Sequence, residues 1–445
     1  MDLIISFIFI FAISIIILAF INFKLSIAFY ISYLILVPYL QFKIAGFPLS
    51  YNLVNTLLLV VFIYKYPLKK RIKLNYQFLI PFLFLFFSLL ILSLYTWGMP
   101  WGFQFNSWRA TFMQSCIVAF IIWNIAMYEP KLLNYIKFAL IISITIACIY
   151  GLFLLRMEGV NPYTSLVSNY FGIKDAAEVY SGLESRLNFS TAGKIQATMA
   201  HPMTWSLVLC FSSIIISTLY LKSKYYYLLG LLALIGFNIL ISGVRTGIAA
   251  LTIGFIYFLI RYRKIKVIIL TLIALFTITL VIQSNDSLSN LFVSFIDVSG
   301  QKSEIKGSSI TIRLEQFQGA LNEIKEHELA GKGYGWTGYY MSLNGSHPIL
   351  ISFESLIFVI LCNSGYIGAL LWIIFFLLLY RLHRKILDQK VDIYLIDTFV
   401  ITYAAYAIGT GEYGYMSFFA ILYSFLLSYL KNNNRQYINT IKPTR

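Results

Sequence analysis

The segment Ser242-Gly-Val-Arg-Thr-Gly247 interrupts two long apolar runs with one charge and two glycines. A guanidinium presents a planar fork of donors that matches phosphate oxygens, and glycines let backbone come close to a ligand. At membrane depth such a polar break is tolerated where it is buried in protein or lines a cavity. Two readings fit Arg245: a phosphate contact, or a hairpin arginine that snorkels to lipid headgroups. Arg109, Arg186 and Arg313 fall in or beside connections assigned to the same side of the chain. Four arginines there suggest a pocket for a phosphorylated or acidic ligand, with headgroup contact the alternative for each alone.

Two histidines suit proton chemistry. His201 and His347 each precede a proline at the mouth of an apolar run, where a group titrating near neutrality can take or shuttle a proton. The alternative for each is a helix-start residue bonded to backbone. Glu354 follows His347 by seven residues on the same helical face, to orient a base, act as one, or face water. His383 and His327 read as solvated. The turn Ala330-Gly-Lys-Gly-Tyr-Gly335 has the glycines of a phosphate loop but neither its Gly-Lys-Ser/Thr ending nor a strand before it. It reads as a flexible turn closing a lid, with Gly333 and Gly335 as points of ligand approach. No His, Cys or carboxylate cluster has metal-ligand spacing, and there is no Walker pair, so neither a metal nor a nucleotide cofactor is expected.

The elements that position these residues follow from composition. Of 445 residues, 59% are hydrophobic and only 12% charged, about half the charged share of a soluble domain. Lys and Arg total 34 against 18 Asp and Glu. The basic residues gather in short turns (Lys65–Lys73, Lys222–Lys224, Arg261–Lys266, Arg381–Lys390 and the tail from Lys431), which is the positive-inside pattern and not a nucleic-acid surface. The four cysteines lie in apolar segments and read as small hydrophobes.

Candidate spans fall at 3–21, 25–40, 49–64, 78–96, 109–127, 135–154, 197–220, 225–241, 246–260, 267–283, 364–380, 394–409 and 413–430. Setting basic turns inside leaves 97–108, 155–196, 242–245, 284–347 and 410–412 outside. Ile349–Cys362 is too short to cross and reads as a helix dipping into the outer leaflet. The expected fold is an all-α polytopic membrane protein of about 12–13 transmembrane helices with a large external loop carrying amphipathic helices. Its segments are 1–196, 197–283, an external catalytic loop with dipping helix at 284–363, and 364–445. Within the loop, Ile310, Leu314, Phe317, Leu321 and Ile324 fall on one face of a helix near Ser309–His327.

Taken in order, the 242–247 break, the helix with Arg313, the 331–335 turn, and Ser346-His-Pro348 with Gly365-Tyr-Ile-Gly368 downstream resemble the O-antigen ligase and Wzy-type polymerase superfamily. Ala200-His-Pro-Met203 also resembles an element of that family, and the likeness covers roughly 197–381. It implies a GT-C-like, metal-independent, inverting glycosyltransferase of the bacterial inner membrane, facing the exterior and joining glycans carried on undecaprenyl diphosphate. Arg245 and Arg313 would hold the diphosphate, and His347 would bind or deprotonate the acceptor hydroxyl or position the diphosphate. Arg109, Arg186, His201 and Glu354 would line the substrate site. Partners implied are the lipid-linked oligosaccharide as donor and acceptor, membrane lipids, a chain-length regulator and a flippase. The family's His-Asn pairs are His347-Pro348 and His201-Pro202-Met203 here, a departure that favours a repeat-unit polymerase. A ligase transferring the finished glycan to lipid A core or protein is the alternative, and a lipid-linked-sugar flippase is the more distant one.

Overall fold

A computed structural model describes residues 2–37, 41–44, 47–96, 98–157, 161–171, 195–263, 310–411 and 415–441. The expected span at 267–283, the loop segment 284–309 and Arg186 lie outside the described residues. In chain order the elements are α1 (Asp2–Ile21), α2 (Phe23–Leu36), β1 (Gln41–Ile44), β2 (Phe47–Ser50), α3 (Tyr51–Lys65), α4 (Ile80–Ser93), α5 (Trp101–Tyr128) and α6 (Lys131–Leu154). There follow α7 (Pro162–Phe171), α8 (Pro202–Ser223), α9 (Tyr227–Ile241), α10 (Arg245–Tyr262), α11 (Ile310–Glu323), α12 (Trp336–Asn344), α13 (Leu356–Ile386), α14 (Lys390–Thr410) and α15 (Tyr415–Ile441).

Among the described residues, α1, α5, α6, α8, α13 and α14 are long and apolar enough to cross a membrane, and α2, α3, α4 and α9 are shorter apolar helices. The chain is thus an all-α polytopic membrane protein. A two-stranded antiparallel ribbon pairing Gln41 with Ser50 joins α2 to α3, a detail the sequence pattern did not suggest.

Helix ends follow local chemistry. Asn22, Ser50 and Ser355 each place a side-chain oxygen on an amide of the first turn that follows, satisfying donors the helix itself leaves open. The interior lies where α5, α8, α14 and α15 meet. There Phe211 stacks on Phe399 with ring centres 4.5 Å apart, and Tyr403 stacks on Phe419 at 4.2 Å. Buried polar side chains tie helices together: Ser424 of α15 donates to the Ala119 carbonyl of α5, and Asn432 to that of Ala126. In a bilayer such bonds and close packing replace the hydrophobic effect as the reason helices associate. Large apolar side chains stay exposed along α1 (Phe7, Ile10, Ile17), α6 (Phe138, Ile142, Ile149) and α13 (Leu370, Ile373, Leu377), as a lipid-facing surface requires. The four cysteines are free and buried.

Three expectations change. Arg109 does not open a span, because α5 begins at Trp101 and carries Arg109 inside it. The dipping helix does not run from Ile349. Ile351 (φ 55°) and Phe353 (φ 52°) adopt left-handed backbone, which a β-branched residue resists and a helix cannot contain. The helix therefore starts at Leu356 as the first leg of α13, which breaks at Gly365 (φ 60°, ψ −157°) and resumes. In α11, Leu314 and Phe317 are exposed, while Gln316 and Ala320 are buried, as is Ile324 just beyond its end. The packed face is rotated because Gly319 and Ala320 let the helix approach Ile349 closely; a Cβ on Gly319 would sit 2.7 Å from its side chain.

Candidate active site

The break at 242–247 is a tight turn. The Ser242 hydroxyl, fully buried, donates to the Ile239 carbonyl at 2.7 Å and closes α9. Gly243 (φ 63°) reverses the chain and Val244 is extended. Arg245 is then the first residue of α10, half-buried, where the helix dipole adds to its positive charge.

Arg313 reaches the same place from α11. Its Nη1 donates to the Glu354 carbonyl at 2.7 Å and to Gln316 Oε1 at 3.1 Å; its Nη2 lies 3.4 Å from both Glu354 Oε2 and the Gly409 carbonyl. Gly409 is also where the Thr246 side chain packs on α14, so closely that a Cβ there would clash at 2.3 Å. The end of α14 is therefore the common abutment for the start of α10 and for Arg313. Arg245 and Arg313 come within electrostatic reach of each other. Holding two guanidiniums together costs energy that an anion between them would recover.

Glu354 is the carboxylate paired with Arg313. Besides its contact with Arg313, Oε1 accepts from the Ser352 hydroxyl at 3.0 Å, and the side chain keeps 25% of its exposure. His347 lies at the other end of the same turn. Its backbone exchanges two hydrogen bonds with Ile351, each 2.9 Å. Its Nδ1 accepts the amides of Ile349 (3.1 Å) and Leu350 (3.0 Å), so the ring proton belongs on Nε2, which points at Glu323 Oε2, 3.2 Å away. The ring is 6% exposed and lies against Tyr340 and Phe353. Both nitrogens are thus engaged, and acting as a base would require the 347–351 turn to open.

Glu323 ends α11 and also accepts from Lys332 Nζ at 2.5 Å. Burial pushes its carboxyl up, but the bonds from Lys332 and His347 outweigh this and hold it below the usual carboxylate range. The Lys332 ammonium also sits over the Trp336 ring at 4.5 Å. Helix α11 is therefore fastened to the 347–354 turn at both ends, by Arg313–Glu354 and by Glu323–His347. Glu323 and Lys332 were not singled out from the sequence. Ten and nineteen residues from Arg313, they reveal no spacing signal until the chain folds back.

The glycine turn is pinned, not flexible. Lys332 and Gly333 donate to the carbonyls of Cys362 and Asn363 at 2.9 and 3.0 Å, and Tyr366 and Ile367 donate back to those of Glu328 and Leu329. The turn plugs the break in α13. Gly331 (φ 67°) and Gly365 (φ 60°) cross with no room for side chains; a Cβ on either would lie 2.4 Å from backbone of the other strand. Gly333 and Gly335 fill against Gln104 and Ser107 of α5, so their close approach is to protein. His201 caps α8, its Nδ1 accepting from the Met203 amide at 3.1 Å, the helix-start arrangement. Arg109 is exposed and has no ion pair among the described residues. His327 is exposed as expected.

His383 is not solvated. It is 1% exposed, with Nε2 2.7 Å from Asp397 Oδ1; Asp397 Oδ2 accepts from Tyr257 at 2.6 Å and from Arg384 at 3.0 Å. This network joins α10, α13 and α14 at the end of α13 away from Gly365.

Fold and site together define a multi-pass membrane protein with two arginines and a paired carboxylate gathered at one end of its helices. Residues 228–373 carry a domain that matches the O-antigen ligase family model, in keeping with the O-antigen ligase and Wzy superfamily. Members of this family are glycosyltransferase-like enzymes acting on lipid-linked glycans. No curated protein matches the chain. The matched stretch contains Arg245, Arg313, His347 and Glu354; His201 and Arg109 precede it.

Proposed function

We propose that this protein polymerises undecaprenyl-diphosphate-linked oligosaccharide repeat units at the outer face of the bacterial inner membrane. The observation that carries the reading is the convergence of Arg245 and Arg313, from segments far apart in sequence, on the end of α14. Two like charges held together, each half-buried, form a seat for a dianionic group. In the transfer, an acceptor hydroxyl attacks the anomeric carbon while the bond to the diphosphate breaks, with inversion at that carbon. Charge accumulates on the departing phosphate, where fixed guanidiniums stabilise it most. His347 and Glu323 hold the turn that presents Glu354 to Arg313, which makes them positioning residues in this reading. Free energy comes from the lipid-diphosphate bond.

The matched family model is described as an O-antigen ligase, and this favours a second reading: transfer of a finished glycan to a lipid A core or protein acceptor. One assay separates them. Purified protein in lipid nanodiscs is given the lipid-diphosphate repeat unit alone. A ladder of lengthening products is expected of the polymerase; product only after a lipid A core or protein acceptor is added makes it the ligase. No glycan transfer under either condition overturns both.

A further inference from the structure

We infer that Glu354 is the resting counter-ion of Arg313 and, once the donor diphosphate displaces it, the base that takes the proton from the acceptor hydroxyl. This rests on the proposed glycan transfer and names a catalytic group within it. Three observations lead here. First, His347 cannot serve in this arrangement, since Nδ1 is occupied by two amides and Nε2 faces Glu323. Second, Glu354 is the carboxylate on Arg313, and its grip is light: 3.4 Å to Nη2, with a quarter of the side chain exposed. Third, Arg313 does not depend on that carboxylate for its place. Nη1 stays bonded to the Glu354 main-chain carbonyl at 2.7 Å and to Gln316 at 3.1 Å.

The chemistry then runs in a fixed order. A phosphate group offers more charge and more acceptor oxygens than a carboxylate, so it replaces Glu354 on the Nη2 face. The freed carboxylate exchanges a cationic neighbour for an anionic one, which raises its affinity for a proton. It stays beside the bound donor because its own backbone carbonyl still holds Nη1. The acceptor O–H gives its proton to a Glu354 carboxylate oxygen, and the acceptor oxygen forms the new bond to the anomeric carbon. The bond from that carbon to the phosphate oxygen breaks, its electron pair leaving on the lipid diphosphate against Arg245 and Arg313. Protonated Glu354 returns the proton to water through its exposed side.

Glu354→Gln separates this from a structural role, because it removes competition for Arg313 and the base at once. With the protein in nanodiscs, binding of undecaprenyl diphosphate is expected to be unchanged or a few-fold tighter. Turnover of the lipid-diphosphate repeat unit is expected to fall by about a hundredfold or more, the usual share of a general base. Glu354→Asp, which keeps a carboxylate, recovers part of that turnover. His347→Asn, whose amide oxygen can accept the Ile349 and Leu350 amides, retains more turnover than Glu354→Gln. Parent-like turnover of Glu354→Gln overturns the inference, as does loss of diphosphate binding in step with turnover, or His347→Asn being the slower of the two. If the parent protein turns over no lipid-linked glycan, it is the proposed function that fails, and that result is read before any variant.

Discussion

The two ends of the helices handle buried charge differently. Around His383 the central pair is nearly sealed: His383 and Asp397 are 1% and 4% exposed in their side chains, and both Asp397 oxygens are taken, by His383, by Tyr257 and by Arg384, which keeps 31% of its exposure at the rim. Around Arg313 the Arg313–Glu354 and Lys332–Glu323 pairs keep a fifth to nearly a third of their side-chain exposure, while His347 keeps 6%. There Glu354 holds its arginine at 3.4 Å, whereas Asp397 meets His383 at 2.7 Å. A closed network in a dry interior is one whose members satisfy each other and gain nothing from a ligand. An open one, with Arg313 held at 3.4 Å by a carboxylate, is in our proposal the one poised to accept an anion. The difference predicts that damage at one end costs stability and at the other costs turnover.

The largest effect is expected from Asp397→Ala. It strands His383 and Arg384 without their shared acceptor, and removing one partner of a buried pair costs about 3–5 kcal/mol. Thermal unfolding in detergent should show a clearly lowered midpoint, with turnover per folded molecule retained. Turnover lost at full stability would place the chemistry at the wrong end. Arg313→Ala should do the opposite. Loss of a preorganised donor to developing negative charge lowers turnover about 10²- to 10³-fold, with the protein still folded in the membrane, and Arg245→Ala should match it. Normal glycan products from both variants would remove the anion seat altogether.

Gly331→Ala and Gly365→Ala test the scaffold between the ends. Each puts a side chain at positive φ against backbone 2.4 Å away. Strain of this kind costs about 1–3 kcal/mol, and here it should unseat the 328–333 turn from the break in α13. Protection of the Lys332 and Gly333 amides from hydrogen exchange is the direct measurement. Unchanged protection in both variants would mean that the turn is held by other contacts.

Much of this was legible before folding. Apolar runs separated by basic turns placed the helices, since lipid demands length and charge is costly to bury. Arg245 and Arg313 stood out for the same reason. What was not legible depends on contacts across the chain. His383 sits in a run of basic residues that reads as a solvated turn, and only the fold supplies Asp397 as its partner. Leu314 and Phe317 gave a regular apolar stripe, yet packing chose the face with Gly319 and Ala320, where backbones come closest. His347 followed by Pro348 looked like a base at a helix start. Its hydrogen bonds are set by the turn through the left-handed residues Ile351 and Phe353, whose backbone no propensity argument would assign.

The smallest effect is expected at Glu323, which makes the second of the two fastenings of α11. Its carboxyl is held below the usual range because Lys332 and His347 bind the charged form more strongly than burial opposes it. A carboxylate with a lowered value in the folded state adds stability that is present above its unfolded value, about 4.3, and lost as pH falls through the folded value. Protection of the Ile349 and Leu350 amides, corrected for intrinsic exchange, should therefore include a decline below about pH 4.3 that depends on Glu323. Glu323→Gln should remove that decline and leave the amides exchanging roughly three- to tenfold faster at neutral pH, a charged hydrogen bond discounted for partial exposure. If Glu323→Gln leaves exchange at 349–350 untouched, His347 is held by its backbone bonds alone. The site end would then be fastened only through Arg313, and the distinction between an open and a closed network would narrow to that one arginine and the carboxylate it can release.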